Sequence, residues 1–302
     1  GYTGVGFSRI SVNPSLSIIY KLNYAWRFTA HASYKERYGE MTDLYDRPYQ
    51  TDYRNSVWNC GILPVYRQQL YSVYGEYKNT AREFFATVNL THNREWYNRI
   101  YEQRIENGQV QRVSLPLSNH GSRYTVKSTL SKGFYELGLK TSFLVLLNIS
   151  KAEQISGGQR LPYQYRLMRL EPKVIWTPNR HWETSYQTDI RYGGNKIGER
   201  TRLAPLWNVT QQVQLSYIFS PIEASLSVDH YHNDVNEDQS VNAVFADFSV
   251  SWKSGRWQIT ATATNLFDKR TYAYTRYASL ESYTSWVRIR PREFLVAIRY
   301  QL

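Results

Sequence analysis

The stretch that decides the fold is "WQITATATNLFDKRTYAYTRYASLESYTSWVRIRPREFLVAIRYQL", residues 257–302. Two runs in it alternate strictly. Trp257, Ile259, Ala261 and Ala263 fall on one face, with Gln258, Thr260, Thr262 and Thr264 on the other. Further on, Phe294, Val296, Ile298, Tyr300 and Leu302 share a face opposite Arg299 and Gln301. A period of two sends successive side chains to opposite sides of a sheet, so both runs read as strands with one apolar face. The apolar medium that meets this face is either a protein core or lipid.

The same alternation recurs through most of the 302 residues. Trp26–Tyr34, Leu139–Ile149, Trp182–Tyr192, Trp207–Phe219 and Val244–Trp252 each carry it, and about thirteen such segments can be counted. No stretch has a convincing helical period. The segment from Tyr163 to Trp176 changes phase midway, which predicts a bulge. Short turns are expected at 22–25, 78–82, 132–136, 177–181, 220–221 and 253–256. Between them fall long polar loops at 39–66, 104–111, 152–162, 193–203, 233–241 and 268–283. Short turns at one end and long loops at the other describe the two unlike ends of an outer-membrane barrel.

Composition excludes several alternatives. Cys60 is the only cysteine, so no disulfide framework or CxxC pair exists, and an inert residue in a loop is expected. Mean hydropathy is −0.57, and the longest aliphatic run is Phe143–Leu147, against roughly 20 apolar residues for a spanning helix. A barrel strand needs only about 9–11 alternating residues. The chain starts at Gly1 without a basic, apolar leader, so an export signal is expected to have been removed, or the sequence is a fragment.

Aromatic residues make up 16%, with 27 Tyr and 9 Trp, and their placement chooses the medium. Trp26, Trp176, Trp182, Trp252 and Trp257 flank the short turns, where a soluble sandwich has its thinnest core. Amphipathic rings settle at the headgroup level of a bilayer. Trp207 to Phe219 spans roughly 40 Å at about 3.3 Å per residue. Tilted about 40°, that projects to roughly 30 Å, matching an apolar band with an aromatic edge at each side. Trp26, Trp176, Trp182, Trp207, Trp252 and Trp257 are therefore expected to form the membrane girdle. The opposite faces carry Arg, Lys, Asp, Glu, Gln, Ser and Thr, which a dry core would strand and a hydrated lumen accommodates. The fold class is all-β: an antiparallel up-and-down transmembrane β-barrel occupying 1–302. Thirteen is odd, whereas closed bacterial barrels have an even count. Either residues 4–12 supply a fourteenth strand, or earlier strands are missing.

"ATNLFDKRTYAY" (263–274) resembles the penultimate-strand signature of TonB-dependent outer-membrane receptors. "PSLSIIYKLNYAWRFTAHASYKERYGEMTDLY" (14–45) is similar to barrel segments of such receptors from Bacteroidetes-type Gram-negative bacteria. The likeness runs strand by strand through the chain, and Asn265–Asp268 is its most specific part. Leu302 departs from the usual aromatic terminus, with Tyr300 two places earlier on the same face. The resemblance implies a C-terminal barrel portion of a roughly 22-stranded receptor, with its plug domain outside this chain. It implies outer-membrane localisation, coupling to TonB and the plug, and uptake of a scarce ligand such as a glycan or a metal chelate. A passive 14-stranded pore is the alternative, and a barrel enzyme the lesser one, since no catalytic constellation is evident.

Ligand contacts are expected on the long loops: Tyr45, Asp46, Tyr49, Tyr53 and Trp58 in the first, and Lys269, Arg270, Tyr272, Tyr274, Arg276 and Tyr277 in the last. Aromatic faces and Arg forks suit polar ligands at a solvent-facing mouth. No cofactor and no metal is expected; His230 and His232 have a chelating spacing but no third ligand nearby in sequence. The Gly-rich stretch 191–202 is not a phosphate loop. The formal charge of +12 comes without a nucleic-acid-binding signature. A basic lumen and rim, meeting anionic solutes, outer-membrane lipid or lipopolysaccharide phosphates, accounts for it better.

Overall fold

In the computed structural model, residues 10–106, 109–198, 201–202, 204–277 and 282–301 are described. Thirteen strands form one continuous antiparallel wall in chain order. They are β1 (Ser15–Lys21), β2 (Trp26–Tyr38), β3 (Val65–Asn79), β4 (Phe84–Tyr97), β5 (Asn119–Phe134), β6 (Leu139–Ser156) and β7 (Gln159–Asn179). They continue with β8 (Trp182–Ile197), β9 (Leu206–Phe219), β10 (Ile222–Asp234), β11 (Ser240–Ser254), β12 (Trp257–Thr264) and β13 (Glu293–Tyr300). Among the described residues the helical content is two short 3-10 turns, Met41–Leu44 and Tyr135–Leu137. Among the described residues the wall is open: β1 pairs only with β2, and β13 only with β12. Residues 1–9, most of the suggested fourteenth strand, lie outside the described residues, as does Leu302; residues 10–12 are not in a strand.

Register settles which side chains share a face, because directly opposed residues of an antiparallel pair project the same way. Trp26 faces Tyr77, Phe134 faces Leu139, Leu139 faces Trp176, Trp182 faces Tyr217, and Trp257 faces Tyr300. That row of aromatics, set beside the short turns, lies on the outer face. Trp26, Trp176, Trp182, Trp252 and Trp257 stand at this end and Trp207 at the opposite one, each 39–50% exposed. The inner face is laced by polar contacts instead. Gln68 Nε2 donates to Asn93 Oδ1 (2.8 Å), Asn148 Nδ2 to Thr125 Oγ1 (3.0 Å), and Arg169 and Arg191 grip Asp189 at 2.9 and 2.6 Å.

The described residues contain no hydrophobic core of ordinary size. Seven apolar residues are buried: Ile100, Val113, Ile155, Leu206, Ala243, Ala246 and Ala273. A soluble monomer rarely leaves an apolar patch larger than about 300–600 Å² uncovered, whereas here whole rows of Leu, Val, Phe and Trp point outward. Lipid supplies the missing apolar medium, and the wall is a transmembrane β-barrel wall.

Five sequence expectations change. Residues 152–162 are no long loop: β6 and β7 run 18 and 21 residues and meet at a two-residue turn, Gly157–Gly158. Both glycines have positive φ, 57° and 75°, and a turn with two left-handed residues matches the twist of its strands. Likewise β8 extends to Ile197, and β10 and β11 leave only 235–239 between them. The expected loop at 104–111 is the tip of a hairpin whose arms are Ile100–Glu106 and Gln109–Leu115. The bulge foreseen between Tyr163 and Trp176 is absent there; the register shifts only between Trp176 and Asn179. The apparent change of phase is chemical. Trp176, Val174, Leu170 and Met168 oppose the outer face of β6, while Leu167, Tyr165 and Tyr163 project inward near the upper edge of the apolar band.

Candidate ligand site at the upper mouth

The site is built by two loops that fold over the inner side of the wall. In the first, residues 39–64, Asp52 closes a tight hairpin by accepting the backbone N–H groups of Arg54 (2.8 Å) and Asn55 (2.9 Å) and the Asn55 amide (2.7 Å). Those donors hold its carboxyl below the usual range, the Asn55 side chain contributing most. Strand Asn55–Trp58 then pairs in parallel with Gln109–Leu115 of the second loop, joining the two loops in one sheet. Arg99 reaches Asp43 at 2.9 Å, Asn59 Nδ2 donates to Thr42 O at 3.1 Å, and the Cys60 thiol lies 3.6 Å from the Ser114 hydroxyl. Glu102 fastens the assembly to the wall: Oε1 accepts Gly158 N–H (3.0 Å) and Oε2 accepts Arg104 (2.7 Å). The Arg104 guanidinium, then the Gly158 N–H, hold the Glu102 carboxyl below its ordinary value.

Beneath this cap lies a cavity of about 850 Å³, inside the usual range for ligand sites of about 300–1,000 Å³. Its loop side presents Thr51, Asp52, Arg99, Tyr101 and Arg112; its wall side presents Glu95, Tyr97, Arg123, Ser150 and Tyr163. Tyr101 carries the Arg112 guanidinium 3.7 Å from its ring centre and that of Arg99 at 5.0 Å. Burial pushes its hydroxyl pKa up. Glu95 is occupied by Asn93 and by the Tyr97 hydroxyl (2.8 Å), and Arg123 Nε donates to Ser150 Oγ (3.2 Å). Among the described residues neither Arg112 nor Arg123 has a carboxylate partner. The cavity thus offers two unneutralised guanidinium forks beside aromatic faces, a set that recognises planar anionic and polar groups.

A smaller cavity of about 420 Å³ lies under the last loop, lined by Tyr231, Phe245, Asp229, Asp247, Tyr272 and Arg290 among others. Hairpin Thr271–Tyr277/Ser282–Arg288 folds against the inner face of β10 and β11. Tyr272 stacks edge-on against Tyr231 at 5.3 Å and accepts a hydrogen bond from Asn233 Nδ2 (3.0 Å). The base of that loop is pinned by Asn265. Its Nδ2 donates to Lys269 O (2.8 Å) and Arg290 O (2.9 Å), and its Oδ1 accepts Lys269 N–H (3.0 Å). Asn265 and Asp268 both have φ of 51°, a conformation that Asn and Asp tolerate better than most residues. The Asn265–Asp268 stretch is a loop clamp.

Of the residues named from the sequence, Tyr272 alone lines one of these two cavities. Tyr45 and Tyr49 pack on each other at 6.1 Å, Trp58 Nε1 donates to Asp46 O (2.8 Å), and Tyr53 is 80% exposed. Lys269 is held by Asn265, Arg270 pairs with Asp268 at 2.8 Å, and Tyr274 lies 5.9 Å from Tyr272. Arg276 and Tyr277 continue the hairpin strand, with side chains outside the described part. Both loops leave the same end of the wall, because β2 and β12 run in the same direction through the meander. Sequence reasoning missed Arg99, Tyr101, Arg112, Arg123 and Tyr163. The signal for the first three was Asn107–Gly108 between two alternating runs, a strong hairpin mark. His230 and His232 sit on the outer face, where their Nδ1 atoms meet Gln211 (3.1 Å) and Asn242 (2.9 Å).

No family model matches the sequence, and no curated protein matches it. Solved structures do. The Pseudomonas aeruginosa receptor FpvA, solved as a complex with iron and a pyoverdine, aligns at a TM-score of 0.50 and 11% identity, over 95% of this chain and 44% of the receptor. The fold is that of the FpvA barrel. The ferric yersiniabactin uptake receptor FyuA of Yersinia pestis aligns at 0.47 and 9% identity, over 96% of this chain and 50% of that one. The chain spans about half the length of the receptors it matches.

Proposed function

We propose that this chain is the barrel portion of an outer-membrane receptor that takes up a scarce anionic or polar ligand, a metal chelate or a glycan, by a TonB-dependent route. The observation carrying this reading is the capped cavity of about 850 Å³ with Arg112 and Arg123 unneutralised inside it. A receptor needs a shaped recess that faces the outside, and the two loops folded together build one. The resemblance to TonB-dependent receptors supports the coupling, and the Bacteroidetes-type sequence resemblance supports a Gram-negative outer membrane. The plug and the TonB contact would come from the part of the receptor this chain does not span. We read the role as transport, since the cavity gathers ligand-binding forks and rings.

The test uses the full-length receptor and a panel of ferric chelates and charged oligosaccharides. Collapsing the proton gradient should stop uptake while surface binding persists. Arg112→Ala with Arg123→Ala should weaken binding by about 10²-fold, since hydrogen bonds to charged groups contribute about 1.5–3 kcal/mol each before solvent screening. Uptake that continues without the gradient removes the TonB-dependent reading. Binding unchanged in the double variant removes the cavity.

A further inference from the structure

On the outer face, one register row crosses six strands without interruption: Gln69, Arg94, Ser122, Lys151, Gln164 and Lys196. The row beneath it holds Tyr71, His92, Tyr124, Ile149 and Arg166, with His92 stacked on Tyr124 at 4.2 Å and Tyr71 at 6.3 Å from His92. Strands lie about 4.8 Å apart. Arg94, Lys151 and Lys196 therefore recur about every 10 Å, separated by the small hydroxyl of Ser122 and the amide of Gln164. Among the described residues, Arg94, Lys151, Arg166 and Lys196 have no carboxylate partner. Glu153, one position higher on the same face as Lys151, is held by Arg160 at 2.9 Å. Ser122, Lys151, Gln164 and Lys196 share the lining of a shallow cavity of about 310 Å³.

Height identifies the occupant. Leu139 stands at the short-turn end of β6, and Lys151 lies twelve residues above it on the same face. That is about 40 Å along the strand and about 30 Å when tilted, the thickness of the apolar band with its aromatic edges. Lys151 sits where outer-leaflet headgroups begin; Arg94 stands ten residues above Phe84 and Lys196 fourteen above Trp182, so the inclined row spreads its cations over about 10 Å of headgroup depth, above an aromatic shelf that faces acyl chains and sugar rings.

We propose that Arg94, Lys151, Lys196 and Arg166 form a binding site for a phosphorylated glycolipid of the outer leaflet, the phosphates of lipopolysaccharide. Lys151 and Lys196 flank Gln164 closely enough for one phosphate to bridge them, and Arg94 and Arg166 reach its neighbours. The site adjoins the mouth cavity, whose rim also includes Ser122 and Lys151, while Arg94, Arg166 and Lys196 belong to the outer rows alone.

The experiment uses full-length protein in detergent and native mass spectrometry with bis-phosphorylated lipid A, and with the same lipid dephosphorylated. Wild type should retain the phosphorylated lipid selectively. Lys151→Gln with Lys196→Gln should weaken that retention by about tenfold or more, each interfacial lysine contributing on the order of a fivefold factor. The lumen variant Lys173→Gln should retain it fully. Heat-modifiable mobility on gels reports assembly, and wild-type discrimination between the two lipids needs no variant at all. Equal retention of the two lipids by wild type, unchanged retention in the double variant, or full displacement by excess inorganic phosphate would each overturn the assignment.

Discussion

Replacing Asn265 by Ala tests whether the Asn-Leu-Phe-Asp stretch clamps the last loop. Asn265 is 7% exposed and its side chain makes three hydrogen bonds, of 2.8, 2.9 and 3.0 Å, to both ends of a loop running from 265 to 292. Neutral hydrogen bonds contribute about 1 kcal/mol each, and a left-handed residue other than Gly or Asn costs about 1 kcal/mol more. The variant should lose about 4 kcal/mol, roughly three orders of magnitude in the opening equilibrium. That loss is local, since the wall pairing of β12 with β13 stays intact. Hydrogen exchange followed by mass spectrometry should show faster exchange across 271–277 and 282–292, with β5 to β7 unchanged. Asn265→Gly relieves only the backbone cost and should recover about a quarter of the effect. Asn265→Asp keeps the acceptor but aims carboxylate oxygen at two carbonyls, and should be at least as damaging as Ala. Unchanged protection in the Ala variant would refute the clamp.

Acid should loosen the same loop. Asp268 accepts Arg292 N–H (3.0 Å) and pairs with Arg270, and these two contacts hold its folded pKa below the ordinary carboxylate value. Its contribution is present above the unfolded value and disappears as pH falls through the lower folded value; proteolysis of 265–292 should rise over that window and not near neutrality. Two glycine turns should respond differently. Gly138→Ala would place a Cβ 2.0 Å from Thr177 O as well as straining a φ of 59°, and should impair assembly measured by heat-modifiable mobility. Gly157→Ala meets nothing within 4 Å, so only the backbone cost of about 1–2 kcal/mol remains and the protein should assemble normally.

The wall was legible in the sequence. Alternation is a local property, readable from each segment alone, and thirteen alternating segments correspond to thirteen wall strands. The same local signal misjudged the loops above the membrane. Lys151 to Gln164 is polar, yet it is strand, because a Gly-Gly turn continues the ladder where no lipid demands an apolar face. Tyr163 and Tyr165 looked like a break in phase because, at that height, the wet cavity takes the aromatics and the outer face takes the charges. The cap over the mouth depends on contacts between residues far apart in the chain, such as Asn55–Trp58 with Gln109–Leu115 or Glu102 with Gly158. The cationic row depends on register accumulated over five strand pairings. Sequence by itself determined which residues face outward along each strand and that the strands follow one another in an up-and-down wall; only the tertiary structure decided the register across those pairs and how the loops fold together, because these are set by contacts that no local period encodes.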